Sequence, residues 1–296
     1  MSSMTDKAQS PVLPGSAKQN LLSRKLGEAL RRADPLGVVG LLLLLGIWFA
    51  LVPVTPRSAL PTPWGVVNAA VEKFWFHNTF AFYGLADTGF YTALGYTAQN
   101  VLIAVCIGGA MGTLVGLLTA RSRLLRAAFD PVVLTLGTVP ILIASPFLLL
   151  WLGGDRASAV ATVAFYVAVI LYTYAQRAAD NINPVYEAAA RTFGATRNEI
   201  VRNVLIPGAL PEILGGIRIA LAGAWGLEAI VELLASQRGL GKLIKSITAA
   251  SDIESLFAAL LLLALTAAIF DAVVSVLFSW ITRWRARTAQ SAGGRQ

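Results

Sequence analysis

Four ionisable residues lie within otherwise apolar sequence: Arg218, Glu228, Glu232 and Asp271. Charges in such stretches are costly, and they pair with one another or face a cavity, so they are the first candidates for chemistry. At 100° per residue, Arg218, Trp225, Glu228 and Glu232 fall within an arc of roughly 80° on one side of a helix. Two readings of Glu228 and Glu232 stand: anchoring at a membrane interface, or lining the outer mouth of a polar pathway. Trp225 on the same side is read first as packing and second as a solute contact. Counted at a rise of 1.5 Å per residue from Pro207 and Ile281, Arg218 and Asp271 each lie roughly 15 Å inside a membrane from the same side. That matched depth predicts an ion pair with a structural role, ahead of solute binding.

Other chemistry is sparse. His77 is the only histidine and Cys106 the only cysteine, so no intramolecular disulfide can form. His77 has no ligand partner nearby in sequence, and no metal or cofactor is expected. A membrane-embedded enzyme would need clustered His, Asp or Glu at the membrane face. Gly241-Lys242 is followed by Leu243 and lacks the upstream glycine of a phosphate-binding loop. A catalytic role is therefore not expected.

The elements that must position these residues follow from where charge is missing. The chain has 296 residues, 56% hydrophobic and 14% charged, with a mean hydropathy of +0.67. Soluble domains carry about 25% charged residues. Uncharged gaps of 22, 33, 24 and 20 residues follow Asp34, Asp87, Asp130 and Arg156, and a bilayer-spanning helix needs about 20 apolar residues. Two more apolar stretches, Ile213–Leu234 and Ser255–Ile281, carry isolated charges. The expectation is an all-α membrane protein with six spans, near 36–53, 96–119, 131–152, 157–176, 210–234 and 256–281. Residues 1–34 read as a disordered polar tail without the apolar core of a signal peptide. Residues 35–284 read as the membrane domain, and 285–296 as a second tail.

Basic residues sort by side. With those spans, 17 fall on the face bearing both termini and six on the other, Arg218 lying within a span. The positive-inside rule places the 17-residue face, and both tails, in the cytoplasm of a multi-pass plasma (inner) membrane protein. The net charge of +8 is then a topology signal, and no nucleic-acid partner is expected. Gly108, Gly112 and Gly116 recur every four residues in the second span, which fits tight packing inside the bundle or a seam between two chains. The first outer loop, residues 54–95 between those spans, is rich in aromatics from Phe74 to Tyr91 and predicts a short helix lying on the outer surface.

The segment from Asn183 to Pro207 is too polar to span and is built with local helix signals. Asn183-Pro184 is an N-cap and first-turn pair. Ala188, Ala189 and their neighbours carry the helix past Arg191 to Gly194, a left-handed C-cap. After Ala195, Thr196 and Glu199 form a capping box for a second helix expected to end before Pro207. Two short capped helices with charges of both signs suit docking onto a soluble partner.

This segment resembles the signature of the inner-membrane permease subunits of binding-protein-dependent ABC importers: Glu-Ala-Ala, three residues, Gly, nine residues, then an Ile-x-Leu-Pro-like ending. From Gly194, nine residues lead to Val204-Leu205-Ile206-Pro207. Counting back six reaches Ala188 where the family has Glu, and Glu187 stands one place earlier. Pro207 to Pro211, Gly216-Ile217-Arg218, Ala224-Trp225, Glu232 and Gly239-Leu240-Gly241, with the aliphatic run around Pro140 and Pro146, look most like the nitrate/sulfonate/taurine-type branch. The resemblance covers roughly residues 60–284. It implies a type I importer permease, working as a pair of chains in the bilayer, with ATP bound by separate ATP-binding cassette subunits. It implies that Glu187, Ala188, Ala189, Arg191, Gly194, Ala195 and Pro207 form the coupling loop onto those subunits. It also implies an extracytoplasmic solute-binding protein that delivers a small, anionic solute. The alternative is a secondary transporter coupled to an ion through Asp271, Glu228 or Glu232. Such folds commonly carry two related halves, and no internal repeat is visible here.

Overall fold

The computed structural model describes residues 35–56, 58–85, 88–153, 156–235 and 238–282. The expected tails, 1–34 and 285–296, lie outside the described residues. The described chain is helical with no strand, and it divides into two compact units after Pro63.

The first unit is built around α1 (Pro35–Leu51), whose sequence is apolar on every side. A helix of this kind has no polar face to give to water, and Leu41 to Leu44 are all about 60% exposed. At 17 residues it would be about 26 Å long, close to the lower limit for crossing the hydrocarbon core. Beyond it, the Trp48 indole donates to the Pro61 carbonyl at 3.0 Å.

The second unit begins with two short helices, α2 (Pro63–Glu72) and α3 (Asn78–Phe82), in the aromatic segment. Phe80 is fully buried, edge-on to Phe90 at 5.2 Å. His77 is the N-cap of α3, its Nδ1 accepting from the Thr79 amide at 3.2 Å. That gives the lone histidine a structural task.

Three long helices form the core: α4 (Phe90–Arg121), α7 (Arg156–Asp180) and α10 (Ile206–Ala235). The glycine series of α4 lies against the backbone of α7. A Cβ on Gly108, Gly112 or Gly116 would come within 2.1, 2.3 and 2.5 Å of the carbonyl oxygens of Ala164, Ala168 and Tyr172. Of the two readings of this series, close packing within one chain is the one the structure shows. Ala220, Leu221, Ala224 and Trp225 of α10 join Val101, Ala104, Val163, Val167 and Leu171 in one buried cluster.

Between α4 and α7 the chain forms α5 (Arg123–Thr138) and α6 (Ile141–Leu152), which meet at 101°. The expected single span at 131–152 is therefore two helices. Pro140 explains the break: it forces Val139 out of the helical region, to φ −75° and ψ 123°. α5 is held to the end of α7 by polar contacts. Arg126 Nη2 donates to both Asp180 oxygens, at 2.9 and 2.7 Å, and Asp130 accepts from Gln176 at 2.8 Å and from the Tyr172 hydroxyl.

After α7 come α8 (Pro184–Thr192), α9 (Arg197–Ile200), α11 (Leu240–Ala249) and α12 (Ile253–Ile281). Among the described residues, four helices are long and apolar enough to cross a membrane, five if the bent pair counts as one span. The shorter apolar helix α1 is counted apart from these, so the expected six spans are not confirmed.

Candidate functional site

The loop from 183 to 207 carries its caps. The Asn183 side chain accepts from the Val185 amide at 3.0 Å, with Pro184 in the first turn of α8. Gly194 has a φ of +81°, and two bonds close the helix behind it: Ala195 N–H to Ala190 at 3.0 Å and Gly194 N–H to Arg191 at 2.9 Å. These are the 6→1 and 5→2 bonds of a Schellman motif, which requires a left-handed residue here. Thr196 and Glu199 then bond reciprocally, at 2.7 and 3.4 Å through the two backbone amides. The Thr196 amide, then its hydroxyl at 2.8 Å, donate to Glu199 Oε2 and hold that carboxyl below its ordinary range.

The second helix does not stop before Pro207. α9 passes through a widened π turn, Val201–Leu205, straight into α10. Proline has no N–H for the carbonyl four residues back, and its ring crowds that carbonyl. The π turn shifts the register just ahead of Pro207, so Ile206 N–H reaches the Val201 carbonyl instead. Pro207, expected as a terminator, sits inside the helix because of this bulge.

Glu187 is the residue that fixes α8 in place. Its two oxygens accept from Arg121 Nη1 and Arg191 Nη2, each at 2.9 Å. Arg121 is the last residue of α4, so the carboxylate joins the loop to a core helix. The hydrogen bond from Arg121, then that from Arg191, holds the Glu187 carboxyl below the usual carboxylate range. Ala188 and Ala189 are exposed, and Ala195 and Pro207 are half-buried. Around them Val185, Tyr186 and Phe193 point outward, 66, 64 and 90% exposed. Together they make an exposed apolar patch on a helix too polar to span. Those three residues were missed by sequence reasoning, although apolar side chains in a capped polar loop were the signal.

The intramembrane charges separate into two sets. Arg218 and Asp271 are joined, Nε and Nη2 donating to Oδ1 and Oδ2 at 2.9 and 2.7 Å. The pair expected from matched depth exists, and its side chains are 48 and 43% exposed. Trp225, two turns along on the same side, is buried and edge-on to Phe270 at 5.2 Å. Its indole N–H has no partner among the described residues.

Glu228 and Glu232 are enclosed rather than exposed, both at 0%. Neither interface anchoring nor an open mouth describes that setting. The Asn100 amide donates to Glu228 at 2.8 Å and lies 3.5 Å from Glu232. Glu232 also accepts from the Thr97 hydroxyl at 2.7 Å and from Gly241 N–H at 3.0 Å. Thr97 in turn accepts from Leu240 N–H at 2.9 Å. The first turn of α11 is thus held by side chains of α4 and α10. Gly239 and Gly241 permit the approach, since a Cβ on Gly239 would lie 2.3 Å from the Glu232 carboxyl carbon. Arg156 reaches the same cluster through Asn100 Oδ1 at 2.6 Å and Gln99 at 2.7 Å. Thr97, Asn100 and Arg156 were not singled out from sequence, because nothing local marks a partner more than 50 residues away. Among the described residues no group of His, Cys, Asp and Glu is arranged to hold a metal ion.

Residues 112–287 match the family described as binding-protein-dependent transport system inner membrane component. The chain is 27% identical over 251 residues to a Bacillus subtilis (strain 168) protein named as an aliphatic sulfonates transport permease protein, SsuC, covering 83% of this chain and 87% of that one. It is 26% identical over 201 residues to the taurine transport system permease protein TauC of Escherichia coli (strain K12), covering 68% and 73%. In fold it is similar to a chain of the MetNI methionine ABC transporter in an inward-facing conformation. The TM-score is 0.54 at 22% identity, over 64% of this chain and 92% of that one.

Proposed function

We propose that this chain, which belongs to the binding-protein-dependent transport system inner membrane component family, lines the route by which an ABC importer moves a small sulfonate-type anion inward. Two copies would form the route, each docked through residues 183–207 onto an ATP-binding cassette subunit. A solute-binding protein would deliver the anion to the opposite face, and ATP would be held by the partner subunits. Both termini would then be cytoplasmic. The names of the sulfonate and taurine relatives support the solute class. An ion-coupled transporter using Asp271, Glu228 or Glu232 is disfavoured by the family.

The observation that carries the docking role is α8 itself. It is capped at both ends, tied to α4 through Glu187 and Arg121, and presents Val185, Tyr186 and Phe193 to solvent. A subunit that closes on ATP would push on this patch and move the spans behind it. Gly194→Val tests the reading. A Cβ at a left-handed position costs about 1–2 kcal/mol, yet nothing lies within 4 Å of it, so the helices should insert normally. Co-purification of the ATP-binding subunit and solute-stimulated ATPase activity should both fall. Normal assembly with normal stimulation would make the loop a plain connector and defeat the docking role.

A further inference from the structure

Arg218 uses only one edge of its guanidinium on Asp271. Nε and Nη2 make the bidentate pair, and no described residue accepts from Nη1. Arg218 lies about 18 Å along α10 from Ile206, deep within a span. Yet the pair is about half exposed on the chain's surface. An ion pair at that depth does not face hydrocarbon; it faces a water-filled cavity or another protein surface.

The surface beside it is also unlike a lipid-facing one. Exposed positions on α10 recur at Gly215, Ile219, Ala222, Gly226 and Ile230, a single face with Arg218 at its edge. A Cβ on Gly215 or Gly226 would meet nothing within 4 Å. The outer face of α12, by contrast, is covered by Leu260, Leu261, Leu265, Ile269, Val273 and Val276.

We propose that this face of α10 is a wall of the solute route, and that Arg218 binds the anionic group of the passing solute through its Nη1 edge. Asp271 is then a positioning residue, holding the guanidinium plane and cancelling its charge. The inference rests on the reading of the chain as an importer of small anions. A lone guanidinium at this depth would be expensive to keep and would hold an anion tightly. A neutralised one still offers N–H donors in the planar fork that suits an oxyanion, while remaining weak enough to release it, as conduction requires.

The test uses the full complex in membranes, in a Cys106→Ser background carrying Ala222→Cys, one turn along the same face. The probes are two thiol reagents of similar size, an anionic sulfonatoethyl and a cationic trimethylammonioethyl methanethiosulfonate. Both should react, the anionic one about tenfold faster relative to a reference cysteine at Ser251, roughly the worth of one hydrogen bond to a charged group. Arg218→Gln with Asp271→Asn, which stays neutral and can keep a hydrogen bond, should abolish the preference. Arg218→Lys with Asp271 retained should lose most of it, since an ammonium paired with Asp271 has no second planar edge to offer. Failure of both reagents to reach residue 222 would mean the face is covered, and would overturn the proposal. So would a preference that is absent, or that survives in the double variant. ATP-driven uptake of taurine is measured separately: loss of uptake with an intact preference would sink the sulfonate reading and leave the Arg218 site standing.

Discussion

The backbone of Ala164 occupies the space that a side chain on Gly108 would need, with the Ala164 carbonyl oxygen 2.1 Å from the position of that Cβ. Since backbone cannot swing aside as a side chain can, Gly108→Ala should push α4 from α7 and cost about 1–3 kcal/mol, as overpacking does. Gly95→Ala, on the same helix with nothing within 4 Å, should be neutral or stabilising, because Ala is the better helix former. Melting of the purified protein in detergent compares the two. Equal effects would mean that the seam is looser than this.

Asn100 serves Glu228, Glu232 and Arg156 together. Asn100→Ala should cost about 3 kcal/mol, since it strips a hydrogen-bond partner from buried carboxyl groups. Glu228→Gln keeps the oxygen that Asn100 addresses and removes the charge from an atom with no partner. It should cost less than about 1 kcal/mol, because an uncharged polar group is cheaper to bury. If Gln at 228 proves as damaging as Ala at 100, Glu228 needs its charge.

Glu187 predicts a pH dependence. Its carboxyl is held below the ordinary range in the folded chain, so its stabilisation of α8 is complete above the unfolded value of about 4.3. As pH falls through the lower native value, that contribution is lost. Binding of the ATP-binding subunit should therefore be flat from about pH 5.5 to 8 with respect to this group, and fall only under strong acid. In Glu187→Gln the binding should already be weaker at neutral pH, and the acid step should disappear. An acid step that persists in Glu187→Gln would belong to another residue.

The orientation of the chain has its own check. In a Cys106→Ser background, a cysteine at Ser58 should react with an impermeant reagent added outside intact cells. Cysteines at Ser122 and Thr196 should react only once the membrane is opened. Outside labelling at Thr196 would invert the chain and remove the docking surface from the cytoplasm.

What could be read from sequence was what local chemistry determines. Asn183-Pro184, Gly194 and the Thr196–Glu199 box act within a few residues, and each is in place. Arg218 and Asp271 were found by depth alone, because a charge in an apolar span has few partners to choose from. Pro140 and Pro207 show why the spans were harder. One breaks a helix and the other is absorbed by a π turn, and the difference lies in the preceding backbone, which no composition window reports. The enclosure of Glu232 depended on Thr97 and on two glycines that admit α11. An amphipathic projection gives the side of a helix and is silent on what lies against it.

The unbroken run from Arg197 to Leu234 has a mechanical consequence. Its 38 residues make a rod about 57 Å long, with the capping box at one tip and the Glu232 clasp on α11 near the other. A torque applied at Thr196 travels along a single helical run, with no loop between separate pieces. The softest point is the widened turn at 201–205, so slack is confined to the near end. Past Pro211 the helix runs without a further proline to Glu232, so the two tips of the rod are coupled through one element.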